Sequence, residues 1–169
     1  ERAPPYELQK RYIRKDDQAV WVHVPALFVR DGAANPQYII RAVRDITERK
    51  HYEQTLRESE ERFRNLADTA PIYMAMADET GNAVYFNKPW LQWAGRTMEE
   101  MLGLGWLCTL HPEDAPKFER DFKHAFHNRV PINEQYRFRR ADGEYRWMLA
   151  VGAPRIAPDG RFVGYFGTY

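Results

Sequence analysis

Cysteine is nearly absent from this chain of 169 residues: Cys108 is the single one. One thiol closes no internal disulfide and fits a reducing compartment, so stability has to come from a packed core. No apolar run approaches the ~20 residues of a membrane helix, and no signal-peptide pattern opens the chain. An excess of one charge is missing too. Lys+Arg 25 against Asp+Glu 24 leaves a formal net charge of +1. Without a global field, neither nucleic acid nor a membrane surface is an expected partner. No metal site is expected, because His111 stands before Pro112 at a helix start, a capping and loop-fixing place. Neither a nucleophile–base pair nor paired carboxylates mark a catalytic cleft, so the chain is not expected to be an enzyme. It opens on Glu1 with no Met, which points to a piece of a longer, cytoplasmic protein whose membrane anchor, if any, lies elsewhere.

Apolar and aromatic residues are plentiful, at 44% and 14%, enough for a globular core. The most informative feature is a repeat. Arg11-Tyr12-Ile13-Arg14-Lys15-Asp16-Asp17, followed by Trp21-Val22, returns as Arg137-Phe138-Arg139-Arg140-Ala141-Asp142-Gly143, followed by Trp147-Met148. Asp-Gly turns follow in both copies, at Asp31-Gly32 and Asp159-Gly160. A period this long indicates tandem copies of one domain and not a solenoid.

Residues 1–44 read as three strands, 6–15, 20–29 and 38–43, of an incomplete first unit. Residues 45–70 read as a connecting helix, opened by Asp45 with Glu48 three positions on in a capping-box pattern. Tyr52, Leu56, Ser59, Phe63, Leu66 and Ala70 form a narrow apolar seam at coiled-coil spacing, so a paired helix is expected, with packing on its own sheet as the alternative. Residues 71–169 read as two strands, three helical segments and three strands, an α+β order with helices on one face of an antiparallel sheet. Asn87 is expected to cap a short helix, Thr97-Met98-Glu99-Glu100 a second, and a longer one runs from His111 to about Asn128.

Several strings carry a resemblance: Tyr85-Phe86-Asn87-Lys88-Pro89-Trp90, Gly105-Trp106, His111-Pro112-Glu113-Asp114, and the run Tyr136 to Trp147. They resemble the PAS domain with its C-terminal PAC segment, in its tryptophan-rich subgroup. The resemblance implies a five-stranded antiparallel sheet with short helices on one face, preceded by a long helix and the last three strands of an earlier PAS domain. Asp45-Ile46-Thr47 is similar to the signature that ends such domains and starts their outgoing helix, which makes these three the expected signal-relay residues. The implied function is sensory relay and dimerisation in a bacterial signalling protein. A histidine kinase is the first expectation for the parent; a ligand-binding sensor region of a diguanylate cyclase or phosphodiesterase is the alternative. The expected partners are a second copy, through the helix seam (Tyr52, Leu56, Phe63, Leu66) and the sheet surface, and a C-terminal effector domain.

Strand parity suggests a cavity lined by Met74, Met76, Tyr85, Asn87, Tyr136 and Trp147, faced by Trp90, Trp93 and Trp106 from the helices. Either a small unknown ligand or interdigitated side chains could fill it; the large aromatic volume favours the filled core. No cofactor is expected. Flavin-binding relatives carry a cysteine where this chain, aligned on Gly103, has Trp106; Cys108 lies two residues on and reads as a small core residue. Haem relatives place their ligand earlier in the long helix than His124 and His127, which lean outward here. His111 reads as a loop-fixing residue, and Arg137, Arg139, Arg140 and Arg146 as solvated strand charges.

Overall fold

The structure, a computed structural model, describes residues 6–33 and 35–169, so positions 1–5 and 34 of the expected first domain lie outside the described residues. Two compact units divide between Glu61 and Arg62.

In the first unit, β1 (Tyr6–Ile13), β2 (Ala19–Arg30), β3 (Pro36–Arg41) and β4 (Arg44–Asp45) form one antiparallel sheet. β2 is central. β1 lies on one edge, while β3 and β4 follow one another along the other. The third expected strand, 38–43, is observed as β3, which starts earlier and ends at Arg41, and the short β4 falls where the connecting helix was expected to begin. Val22, Val24 and Ala26 alternate into the buried face of β2. Helix α1 (Thr47–Thr69) follows. Asp45 does not form the expected capping box with Glu48. It belongs to β4, its Oδ1 accepts from the Thr47 N–H at 2.9 Å, and its other oxygen pairs with Arg14 at 2.8 Å. Those Thr47 and Arg14 hydrogen bonds hold its carboxyl below the usual range, Thr47 contributing most.

The second unit carries β5 (Met74–Ala77), β6 (Ala83–Phe86), α2 (Lys88–Ala94), α3 (Met98–Met101), a 3₁₀ turn (Gly105–Thr109), α4 (Ala115–Asn128), β7 (Ile132–Arg139), β8 (Tyr145–Ile156) and β9 (Phe162–Thr168). Its sheet is fully antiparallel, in the order β6-β5-β9-β8-β7. Local chemistry sets the helix ends. Asn87 caps α2 by accepting from Trp90 N–H, with Pro89 in the first turn, where a missing N–H costs nothing. Thr97 and Glu100 form a complete capping box on α3. Gly105 sits where a Cβ would lie 2.1 Å from the Glu100 carbonyl, so the 3₁₀ turn can follow α3 this closely only with glycine.

The core lies between the inner sheet face and the helices. Trp90, Met101, Tyr136 and Phe138 are essentially inaccessible, and Phe86, Trp106, Phe118, Met148 and Ala150 complete it. Cys108 is exposed on the 3₁₀ turn, not the small core residue its type suggests, because Trp106 and Thr109 take the buried positions of that turn.

Candidate functional site

The hairpin from β7 to β8 decides which side chains face the helices. Its loop is three residues long, Ala141 to Gly143: Arg140 and Glu144 close it, and Gly143 takes φ +88°. This is the turn-plus-left-handed-residue loop common in hairpins. Register then pairs Tyr136 with Met148 and Arg137 with Trp147. Trp147 is therefore corrected from a cavity residue to an outer-face one, 65% exposed, with the Arg137 guanidinium 5.3 Å from its ring centre. Leu149 and Val151 share that outer face.

The other edge needs the same correction. A bulge between Met76 and Ala77 shifts the β5–β6 pairing, so Ala75 meets Phe86 and Met76 meets Tyr85. Ala75, Ala83 and Phe86 point inward. Met74, Met76 and Tyr85 lie on the outer face, where Tyr85 meets Phe63 of α1 at 5.8 Å. Met76 still borders the interior through its strand, between Ala75 and Ala77.

A cavity of about 60 Å³ remains between the inner face and the helices. Ala75, Ala83 and Ala150 form its sheet wall, with Trp106, Phe118 and Phe122 opposite and Tyr165 and Tyr169 at its side. That is room for about two waters and well short of the ~300 Å³ at which small-molecule pockets begin. Rings occupy the rest. Trp90 meets Tyr169 at 4.1 Å, Phe138 at 5.7 Å and Phe86 at 5.9 Å, and Trp93 packs at the edge of this group. Burial pushes the Tyr169 phenol up to about 12. Tyr136 donates to Asp121 at 2.9 Å, and Tyr165 donates to the Ala125 and Val130 carbonyls. The Trp90 indole N–H is buried without a hydrogen-bond partner.

Asn87, expected in the cavity wall, is fully buried but has no capacity left for a ligand. Its Nδ2 donates to the Ala67 carbonyl at 2.8 Å and the Ile72 carbonyl at 2.9 Å. Its Oδ1 accepts from Met74 N–H at 2.9 Å and Trp90 N–H at 3.3 Å. Beside it, Asp68 Oδ1 accepts from Lys88 N–H at 2.8 Å.

Arg137 is more than a solvated strand charge. Asp114 accepts from its backbone N–H at 2.7 Å and its guanidinium at 2.6 Å, and Glu113 accepts from the guanidinium at 2.9 Å. The Arg137 hydrogen bonds hold the Asp114 carboxyl below the usual range. His111 accepts from the Glu113 N–H through Nδ1 and packs on Tyr145. These contacts tie the start of α4 to β7. Sequence reading missed them because Asp114 and Arg137 lie far apart in the chain. The Asp114-to-Arg137 link was open to inference only from the acid-rich start of α4 and the Arg-rich strand.

Along α1, Tyr52, Leu56 and Leu66 are more than 60% exposed and Phe63 is 45% exposed. At the root of the helix, Ile46 is buried and its N–H donates to the Trp21 carbonyl at 2.8 Å, while Thr47 Oγ1 accepts from the Trp21 N–H at 2.9 Å.

A family model described as PAS fold matches residues 83–169, just over half of the chain, and one described as PAS domain matches residues 2–48. The chain belongs to the PAS family. A protein of Sinorhizobium fredii, y4lL, described as uncharacterized, is 42% identical over 125 residues, covering 74% of this chain and 15% of that protein. The peroxide stress-activated histidine kinase mak1 of Schizosaccharomyces pombe is 28% identical over 138 residues, covering 73% of this chain and 8% of the kinase. The chain thus spans a small part of the curated relatives it matches. Among solved structures, a PAS domain from Colwellia psychrerythraea aligns with a TM-score of 0.55 at 18% identity, covering 64% of this chain and 92% of that one. A structure described by a flavin analogue and the light-oxygen-voltage domain mechanism aligns at 0.53 and 21% identity, over 62% of this chain and 79% of that one. At these identities the two structures speak for the fold. The PAS chain is a sensory module, and its similarity to a histidine kinase supports a role in signalling. No described helix is long and apolar enough to cross a membrane.

Proposed function

We propose that this chain is the relay region of a bacterial signalling protein of the sensor histidine kinase type. In this reading residues 1–44 end one PAS domain, 45–70 form a signalling helix and 71–169 make a second PAS domain. Helix α1 pairs with α1 of a second copy and passes a change from the first domain to the second, and so to an effector domain. The observation that carries this is the seam of Tyr52, Leu56 and Leu66, left largely uncovered on the helix between the two PAS regions. Three large apolar side chains in one line on a charged helix are what a partner helix buries. The similarity to a histidine kinase supports a signalling role, and within that role the kinase type is our reading.

A single cysteine at Leu56, in a Cys108→Ser background, tests the pairing. Oxidation is expected to give a cross-chain disulfide in solution; only monomer at concentrations where wild type is dimeric, or a monomeric wild type, defeats it.

The flavin analogue in one neighbour's description raises a cofactor reading. A cavity of about 60 Å³ walled by Trp106, Phe118 and Phe122 does not fit an isoalloxazine ring, which needs a pocket of several hundred Å³. We therefore read the second domain as a packed relay, working without flavin or haem.

A further inference from the structure

We propose that Asn87, assisted by Asp68, is a positioning residue that couples the end of α1 to the aromatic core of the second domain. A helix cap alone would need only an acceptor, and Asp caps as well as Asn. Here Oδ1 already serves as that acceptor, for Trp90 N–H and also for Met74 N–H. The amide Nδ2 does something else. It donates to the carbonyls of Ala67 and Ile72, and Ala67 is in the last turn of α1, where carbonyls have no partner within the helix. One buried side chain thus fastens the end of α1, the strand β5 and the start of α2. Asp68 adds a second fastening from α1 to the Lys88 N–H, and Phe63 a third, against Tyr85.

The other end of this link is the core. Trp90 lies on the turn that Asn87 caps, and its ring touches Tyr169 and Phe138. A shift of Trp90, from any change in the cavity or in β7, moves the α2 N-terminus and with it the group that holds Ala67. Fully satisfied buried polar groups of this kind have few alternative arrangements, so displacement is passed on and not absorbed. The coupling stands whether or not α1 pairs with a second copy, so failure of the cross-linking experiment leaves it intact, and its own failure leaves the pairing intact.

Asn87→Asp separates the two roles, keeping the acceptor and removing both donors. In the full chain, amide exchange across residues 64–70 is expected to speed up about tenfold or more, the weight of two lost hydrogen bonds, while amides of β8 and β9 keep their rates. Ala150→Val, a cavity-wall change, is then expected to shift exchange in 64–70 when Asn87 is present and to leave it unmoved in the Asn87→Asp background. Unchanged exchange in 64–70, an equal rise across β8 and β9, or a response to Ala150→Val that survives Asn87→Asp overturns the proposal. Should Asn87→Asp not fold, Asp68→Ala, which removes the second fastening, is expected to give the same local increase; no increase overturns it likewise.

Discussion

Replacing Trp90 with Phe sets two opposed effects against each other. The indole is 1% exposed, and its N–H has no hydrogen-bond partner. Phe removes two ring carbons and the nitrogen, which costs about 1.5–2.5 kcal/mol in lost burial and in the void left behind. It also removes a buried, unsatisfied donor, whose desolvation costs about 1–3 kcal/mol. The edge-on contacts with Tyr169 and Phe138 need only an aromatic ring, so Phe can keep them. The two effects nearly cancel, and the net change is expected to lie within about 1 kcal/mol of zero. Trp90→Ala, in contrast, loses the rings as well and should cost about 3–5 kcal/mol. Urea unfolding followed by circular dichroism measures both, read as a change in midpoint at constant slope. If Trp90→Phe proves nearly as damaging as Trp90→Ala, the N–H has a strong partner and the orphan-donor reasoning is wrong.

Three further outcomes follow from the register and the turns. Met148→Ala should cost about 2–3 kcal/mol and Trp147→Ala about 0.5 kcal/mol, the reverse of what residue size suggests; equal costs would mean the wrong strand face has been assigned. Gly164 has φ +109°, and a Cβ there would lie 2.0 Å from the Ala77 carbonyl, so Gly164→Ala should cost about 3 kcal/mol or more in thermal unfolding, whereas a neutral result refutes this β9 geometry. The Asp114 carboxyl is held below its unfolded value of about 3.9. Its contribution is therefore complete above that value and is lost as pH falls through the lower folded one. Asp114→Asn should flatten the acid limb of the stability profile, and an unchanged limb would show that the Arg137 contacts carry no folding free energy.

Much of this fold was legible because its punctuation is chemical. Asn87-Lys88-Pro89 and Thr97-Met98-Glu99-Glu100 each state a helix start in local terms, and both hold. The cavity wall was less legible, because strand parity depends on a loop length that the Asp-Gly pair leaves ambiguous. A two-residue Asp142-Gly143 loop would set Tyr136 opposite Leu149 and Phe138 opposite Trp147, which is the expected grouping. One more loop residue reverses the face of every β8 side chain. Tyr85 failed for a related reason, since strict alternation from Ala83 cannot anticipate the bulge. Asn87 was grouped by the same parity although it lies one residue past the end of β6, and only the tertiary fold brings the Ala67 and Ile72 carbonyls to it.

The two copies show how far the repeated words carry geometry. Lys15-Asp16-Asp17 forms the same three-residue loop as Ala141-Asp142-Gly143, closed by Arg14 and Gln18, with Asp16 accepting from Gln18 N–H as Asp142 accepts from Glu144 N–H. Asp17 takes φ +61° where the second copy has Gly143, a conformation that aspartate tolerates better than most residues. The same loop length then gives the same register: Arg11 lies opposite Trp21 as Arg137 lies opposite Trp147, with the guanidinium over the ring in both. In the first copy Lys50 of α1 also reaches the ring, and Ile46 and Thr47 bond the Trp21 backbone, so the root of α1 is built on the outer-face tryptophan that this register puts there.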